Sequence, residues 1–176
     1  MSTNDTQAEP QAQAAEATTQ YSRFDTGAEF QQAIELLLDQ PGRELRIFDP
    51  DMQAFRLNSP ARIIRLQHFL QASRTRRLYL VVHDTGAIIR GCPRLLQLLA
   101  DFNHAIQINR TDDSIRELQD SFAVLDDRHY LRRPVARFFR GAIGVNDETE
   151  ARAMRSRFME IWAASFPGVS STTAGL

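Results

Sequence analysis

The sequence predicts an α/β domain whose mixed β-sheet is flanked by helices. From Thr26 to Asn109, helical and strand patterns alternate three times, as in βαβ units with right-handed crossovers. From Ser121 onward, a strand–turn–strand pattern and a final helix follow, which adds antiparallel strands to the parallel ones. The length of 176 residues and the hydrophobic content of 43% suit a single domain.

The two ends of the chain differ in composition from its middle. Residues 1–20 contain no Leu, Ile, Val or aromatic side chain, and they carry three acidic residues without a basic one. Such a segment buries too little apolar surface to offset the entropy of ordering it. We therefore expect a disordered acidic tail over 1–20, a folded domain over 21–167 and a flexible C-terminus over 168–176.

The first half of the domain carries clear helix and strand signals. Thr26 and Glu29 have the spacing of a capping box, and Ser59-Pro60 combines an N-cap with a first-turn proline. The continuous apolar run Leu78–Val82 is typical of a strand buried on both faces in a parallel sheet. The predicted elements are a helix from Thr26 to Pro41, a strand Leu45–Asp49, a helix from Ser59, a strand Leu78–Val82, a helix Pro93–Phe102 and a strand Ala105–Asn109.

The second half predicts a hairpin, a further strand and a helix. Asp126-Asp127-Arg128 is a turn signal between two short apolar segments. The predicted elements are a strand Ser121–Leu125, a return strand His129–Leu131, a strand Val135–Ile143 with alternating Arg137 and Arg140, and a last helix opened by Asp147.

Composition excludes several kinds of chemistry. All 21 basic residues are arginine, so the chain offers no Schiff-base lysine, lysine general base or phosphate-loop lysine. Cys92 is the only cysteine, which excludes an internal disulfide and a cysteine-rich metal site. No apolar run approaches the roughly twenty residues of a membrane span, and the N-terminus does not read as a signal peptide. We therefore expect a cytoplasmic protein without a transmembrane segment.

Three segments resemble one half of the phospholipase D-like fold. Ser121–Asp127 (SFAVLDD) is similar to the family's strand that runs into an aspartate, and Arg128–Arg133 lies where the family has its return strand. Phe158 and Trp162 match the spacing of an aromatic pair common on the family's last helix. More narrowly, the chain is similar to an uncharacterised bacterial domain family that is sometimes appended to acetyltransferases.

The resemblance implies that catalysis has been lost. Catalytic members carry His-x-Lys-x-x-x-x-Asp, in which histidine attacks phosphorus and lysine steadies the phosphate oxygens. With Asp126 at the aspartate, Gln119 stands at the histidine and Ser121 at the lysine. Shifting the register to Asp127 does not restore the motif, and the chain has no lysine. Because single-motif members pair two halves around one site, the resemblance also implies a homodimer.

An arginine cluster is the main functional signal. If alternate arginines on the hairpin and the next strand faced one side, their planar forks would suit a phosphate-bearing ligand or an acidic surface. The alternative is a solvated edge strand whose charges prevent aggregation. The candidate ligand-binding residues are Arg128, Arg132, Arg133, Arg137 and Arg140.

The sequence is compatible with three functions. The leading hypothesis is a non-catalytic binding or regulatory module that uses the arginine cluster, with no cofactor and no metal. The second is a protein-interaction subunit without a small ligand, with an acetyltransferase as one such partner. The third is a hydrolase that uses His83 and Asp84, or Asp126 and Asp127. Few aromatic residues interleave with the arginines, so we do not expect nucleic-acid binding.

Overall fold

An eight-stranded mixed sheet runs through residues 18–170, which are the residues that the computed structural model describes. Most of the predicted acidic tail and the end of the predicted C-terminus lie outside these residues. The strands are β1 Gln20–Phe24, β2 Glu44–Phe48, β3 Arg77–Val82, β4 Ile106–Thr111, β5 Ser121–Leu125, β6 His129–Arg133, β7 Gly141–Val145 and β8 Ser165–Val169. The helices are α1 Gly27–Leu38, α2 Pro60–Gln71, α3 Gly86–Gly91, α4 Pro93–Asp101 and α5 Glu148–Ala163.

The sheet combines a parallel centre with antiparallel flanks. Its strand order is β1-β7-β6-β5-β2-β3-β4-β8. The β2–β3 and β3–β4 pairs are parallel, and the other neighbours are antiparallel. The predicted fold class, a mixed sheet flanked by helices, is confirmed. The carboxyl ends of the parallel strands β2, β3 and β4 lie at one end of the sheet, and the antiparallel pairing of β5 with β2 brings the start of β5 to that same end.

Two apolar layers cover the sheet. On one face, α1, α2 and α4 pack on inward-facing residues such as Ile47, Leu80 and Ile108. On the other face, α5 packs through Phe158 and Ile161 on Phe48, Val81 and Phe122, with Trp162 beside them. Adjacent β2 residues thus point to opposite layers, as the two-residue period of a strand requires.

Capping residues in the sequence predicted the starts of α1, α2 and α5 correctly. Thr26 and Glu29 form both halves of a capping box at the start of α1. The Ser59 hydroxyl accepts a hydrogen bond from the Arg62 amide at the start of α2, and the Asp147 carboxylate accepts one from the Glu150 amide at the start of α5. These contacts satisfy amide groups that have no partner within the helix.

The structure corrects the prediction in four places. The predicted strand Val135–Ile143 is wrong, because residues 134–140 form a loop and the strand begins at Gly141. Three elements are additional: β1, α3 and β8. The last residues of β8 fall within the range 168–176 that was predicted to be flexible. None of the described helices is long and apolar enough to cross a membrane.

Candidate functional site

Of the three positions that correspond to the catalytic motif, Asp126 lies apart from Gln119 and Ser121. Ser121 begins β5, whereas Asp126 lies in the turn beyond its other end, with a positive φ of 56°. The Asp126 carboxylate accepts hydrogen bonds from the backbone amides of Arg43 and Glu44, the latter at 2.8 Å. Gln119 is exposed, and its carbonyl accepts a 2.6 Å hydrogen bond from the Ala136 amide. Asp126 therefore holds the start of β2 in place, which is a structural role.

A buried ion pair lies beside Ser121, at the end of the sheet where β2 and β6 terminate. Arg133, at the end of β6, donates from Nη2 to Asp49 Oδ2 at 2.7 Å and to Ser121 Oγ at 3.0 Å. It donates from Nη1 to the Ala136 carbonyl at 2.8 Å. The side chains of Arg133 and Asp49 are 2% and 1% exposed. The guanidinium group also lies over the Phe30 ring, 4.4 Å from its centroid.

Loss of solvent is the largest influence on the pKa values of this pair. Burial raises the pKa of the Asp49 carboxyl group and lowers the pKa of the Arg133 guanidinium group. Their mutual attraction opposes both shifts, and the hydrogen bonds from the Asp51 and Met52 amides, at 3.0 and 2.7 Å, also act to lower the pKa of Asp49. Each charge is therefore tolerated in the interior because the other is present. Arg133 makes its contacts inside the protein and offers no surface to a ligand.

The remaining predicted arginines do not form one surface. Arg128 lies in the hairpin turn, at the opposite end of β6 from Arg133, and approaches Glu148 at 3.9 Å. Arg132 points to the face opposite Arg133, because successive side chains of a strand alternate. Arg137 stacks on the ring of its neighbour Phe138, 4.8 Å from the centroid. Arg137 and Arg140 lie on the 134–140 loop, where no strand alternation aligns them.

Two of the predicted arginines, Arg132 and Arg140, do line a common open depression of about 530 Å³, together with Arg23. Arg23 of β1 and Arg132 of β6 both lie opposite Ala142 of β7 in the antiparallel register. Directly paired residues of antiparallel strands point to the same face, so both side chains flank a floor made by the small Ala142 side chain. Arg140 and Tyr21 complete the rim. We call the surface formed by Arg23, Arg132, Arg140, Tyr21 and Ala142 the basic depression.

Carboxylates lie close to the basic depression but are engaged elsewhere or weakly paired. Glu29 accepts hydrogen bonds from the amides of Asp25 and Thr26, which lower the pKa of its carboxyl group. Asp25 pairs with Arg140 at 3.3 Å, and both side chains are largely exposed. Glu150 is 3.9 Å from Arg132. Exposed pairs of this kind contribute little, so an anion can compete for the arginines.

The sequence interpretation missed Arg23 and Asp49. Arg23 belongs to β1, which was not predicted, and no local feature links it to Arg132. Asp49 was visible as the acidic residue that ends the apolar strand Leu45–Asp49. A carboxylate at that place is usually a turn former, and its partner Arg133 is 84 residues away in the chain.

Residues 26–170 match the model of a family described as a domain of unknown function (DUF7931). The chain belongs to the DUF7931 family. No curated protein matches the sequence significantly.

Solved structures place the DUF7931 domain in the phospholipase D-like fold. Nuc from Salmonella typhimurium, a phospholipase D family member, superposes with a TM-score of 0.58 at 12% identity over 85% of this chain and 97% of Nuc. Phosphatidylserine synthase from Haemophilus influenzae gives 0.56 at 14% identity over 85% of this chain and 39% of the synthase. At these identities the likeness shows the fold alone.

An archaeal protein has a similar fold. TrmBL2, an archaeal chromatin protein with a novel mode of DNA binding, superposes with a TM-score of 0.59 at 10% identity over 85% of this chain. The DUF7931 chain spans 54% of TrmBL2. The predicted fold, one half of a phospholipase D-like arrangement, is confirmed by Nuc, which this chain covers almost completely.

His83 and Asp84 are both engaged in local structure. His83 Nε2 lies 2.7 Å from the Leu118 carbonyl, so this nitrogen carries the proton, and Nδ1 lies 2.8 Å from Thr111 Oγ1. The Asp84 carboxylate accepts a hydrogen bond from the Gly86 amide and caps the turn into α3. Neither residue is presented as a free acid or base. Within residues 18–170, no three His, Cys, Asp or Glu side chains come together as a metal site.

His129 gives the DUF7931 domain an expected pH dependence. The residue is 1% exposed, and its Nδ1 accepts a 3.1 Å hydrogen bond from the Asn146 amide. Burial, together with the Arg128 charge, lowers the pKa of this imidazole from the ordinary 6.5. The unfolded chain therefore takes up a proton before the native protein does, and stability present above about pH 6.5 is lost as pH falls. We expect the free energy of unfolding, measured by urea titration, to decrease between about pH 7 and pH 5.

The variant His129→Gln isolates this contribution. Glutamine keeps a hydrogen-bond acceptor for the Asn146 amide but does not titrate. The variant should show a shallower decrease over the same pH range, whatever its absolute stability. Equal pH slopes in the two proteins would show that His129 protonates in the native state as it does in the unfolded chain.

Proposed function

We propose that this domain is a non-catalytic binding module that holds a phosphate-bearing ligand in the basic depression. The observation that carries the proposal is the register of three neighbouring strands. It places Arg23 and Arg132 on one face, on either side of Ala142, with Arg140 on the rim.

The spacing of the arginines suits a phosphate group. Two strand separations of about 4.8 Å each lie between β1 and β6, and guanidinium groups on long side chains span such a gap. The planar fork of arginine donates two parallel hydrogen bonds to one phosphate. The small Ala142 side chain leaves room for the ligand between the two donors.

Contacts at the motif positions support the non-catalytic part of the proposal. Ser121, at the lysine position, accepts its hydrogen bond from the buried Arg133. Asp126 is occupied by the amides of Arg43 and Glu44. The chain contains no lysine. The His-Lys-Asp mechanism of the phospholipase D-like enzymes therefore has no counterpart among these residues.

Thermal unfolding with three probes tests the binding proposal. The probes are inorganic pyrophosphate, ATP and a short duplex DNA, the last because a DNA-binding chromatin protein shares the fold. At ten times its dissociation constant, a ligand adds about 1.4 kcal/mol, or about 3–5 °C in Tm for a domain of this size. We expect at least one probe to give such a shift at low salt and a smaller one at moderate salt.

Two double variants with equal changes in charge make the test specific. Arg23→Ala/Arg132→Ala should abolish the shift. Arg74→Ala/Arg155→Ala, which removes two exposed arginines elsewhere, should keep it. Loss of the shift in both variants would indicate a general charge effect, and no shift with any probe in the unmodified protein would reject the proposal.

A second candidate is a protein-interaction subunit without a small ligand. Val135, Phe138 and Phe139 on the 134–140 loop are 41%, 53% and 39% exposed. Exposed apolar residues gathered on one loop are typical of a contact site for another protein. This exposed apolar loop would serve as a contact surface for a second copy of the chain, as the phospholipase D-like resemblance implies, or for another protein such as an acetyltransferase. Negative results with all three probes would favour this candidate.

A further inference from the structure

A second cavity lies at the end of the sheet where the parallel strands terminate. It has a volume of about 530 Å³ and lies between the loop that follows β2 and the helices α3 and α4. This volume falls in the range of pockets that hold small molecules. Its lining shares no residue with the basic depression, so the two sites are independent.

The floor of the cavity is largely apolar and its rim carries two cations. The apolar lining that solvent reaches is formed by Pro60, Ala87 and the half-buried Cys92, above the buried side chains of Met52, Ile88 and Leu95. The polar lining includes Arg56 and Arg94. A few polar groups around an apolar floor are the usual composition of a small-molecule site, in which the polar groups fix the orientation of the ligand.

The two arginines have no anionic partner within the described part of the chain. Neither Arg56 nor Arg94 forms an ion pair with another of the residues 18–170. The one carboxylate in the lining, Asp51, accepts a hydrogen bond from the Gln53 amide. The cavity therefore carries an excess of positive charge beside apolar surface.

The walls of the cavity are held in place by internal contacts. The Asp49 carboxylate accepts hydrogen bonds from the Asp51 and Met52 amides, while Phe55 and Leu57 are buried in the core. The loop holds Met52 and Arg56 at positive φ angles of 61° and 50°, which non-glycine residues of these types rarely adopt. A site with fixed walls loses little conformational entropy when a ligand binds.

The start of α4 does not itself require an anion. Asn58 Oδ1 accepts hydrogen bonds from the Arg94 and Leu95 amides at 2.8 and 3.3 Å. Side-chain capping therefore satisfies these two amides. The guanidinium groups of Arg56 and Arg94 are the charged groups of the cavity that lack an anionic partner within residues 18–170. They therefore define the chemistry of the ligand.

We propose that this cavity binds a small organic anion, with an apolar body against Pro60, Ala87 and Cys92 and an acidic group between Arg56 and Arg94. A carboxylate or a phosphate monoester on a short aliphatic or aromatic body has this chemistry. The apolar floor distinguishes this ligand from the purely phosphate-bearing ligand of the basic depression.

Cys92 provides a local measurement. It is the only cysteine of the chain, it is half-buried, and it lines the cavity. Burial raises the pKa of its thiol, so alkylation by iodoacetamide is slow and its rate is easily followed at a fixed alkaline pH. A ligand in the cavity should cover the thiol and reduce that rate.

The experiment compares octanoate with octanol on the full chain. Octanoate should protect Cys92 at concentrations about tenfold or more below those that octanol requires, because only octanoate carries the acidic group. In Arg56→Gln/Arg94→Gln, octanoate should need about tenfold more to protect, while octanol should be unchanged. The charge-matched control Arg74→Gln/Arg155→Gln should behave as the unmodified protein.

Each alternative result overturns the proposal in a distinct way. Equal protection by octanoate and octanol would show an apolar surface without anion recognition. Protection that is unchanged in Arg56→Gln/Arg94→Gln would place the acidic group elsewhere. No protection by either compound would show that the cavity does not take such a ligand. Because the pyrophosphate, ATP and DNA titrations test other residues, failure of one proposal leaves the other standing.

Discussion

Replacing Arg133 with alanine is expected to lower the free energy of unfolding by about 3–5 kcal/mol. The substitution would leave the Asp49 carboxylate, 1% exposed, as a buried charge without its counter-ion. It would also remove the donor to the Ser121 hydroxyl and to the Ala136 carbonyl. An unpaired charge in the interior costs far more than the loss of an exposed pair. Urea denaturation followed by circular dichroism at neutral pH measures the difference.

The adjacent residue supplies the control. Arg132 is 46% exposed and lies 3.9 Å from Glu150, so Arg132→Ala should change the free energy of unfolding by no more than about 0.5 kcal/mol. The double variant Asp49→Asn/Arg133→Met should recover much of the loss, because it removes both charges together while an amide oxygen still accepts from the Asp51 and Met52 amides. A loss below about 1 kcal/mol in Arg133→Ala would contradict the view that the pair is desolvated.

Sequence reasoning succeeded where structure is determined locally. Thr26 and Glu29 are three residues apart, and the contacts they make at the start of α1 involve only their own segment. The run Leu78–Val82 is apolar at every position because β3 lies between β2 and β4, with a helical layer on each face. These patterns depend on burial and on capping, which nearby residues encode.

The edge strands could not be predicted in the same way. β1 is exposed at four of its five positions, so it shows no apolar alternation. Its partner β7 begins at Gly141, more than a hundred residues away along the chain. β8 contains Pro167, which is compatible with a sheet edge but reads as a strand breaker in the sequence.

The candidate site was predicted less well than the fold, for the same physical reason. The arginines of Arg128–Arg140 looked like a cluster because they are close in sequence. Arg132 and Arg133 nevertheless point to opposite faces of β6, and only Arg132 and Arg140 reach the basic depression. Their companion Arg23 comes from the other end of the chain. A binding surface built across three strands depends on long-range register, which the local pattern does not encode.

Replacing Phe158 with alanine is expected to cost about 3–5 kcal/mol of unfolding free energy, comparable to the effect at Arg133. Phe158 is 1% exposed and packs with Phe48 and Phe122 on the face of the sheet that α5 covers. Its ring also stacks on Trp162, with 5.7 Å between the centroids. The substitution combines the lost burial of a large apolar side chain with a cavity that neighbouring strands cannot close.

Trp162 reports this change directly, because it is the only tryptophan of the chain. Urea denaturation followed by its fluorescence should show a lower midpoint for Phe158→Ala, together with a red-shifted native emission as water reaches the indole ring. Met159→Ala, at the next position and 47% exposed, should stay within about 0.5 kcal/mol of the unmodified protein. Equal, small losses in the two variants would mean that α5 is not docked through Phe158. In that case the packing of α5 would contribute little to the free energy of unfolding. The buried Arg133–Asp49 pair, on the face of the sheet that α1 covers, would then contribute more.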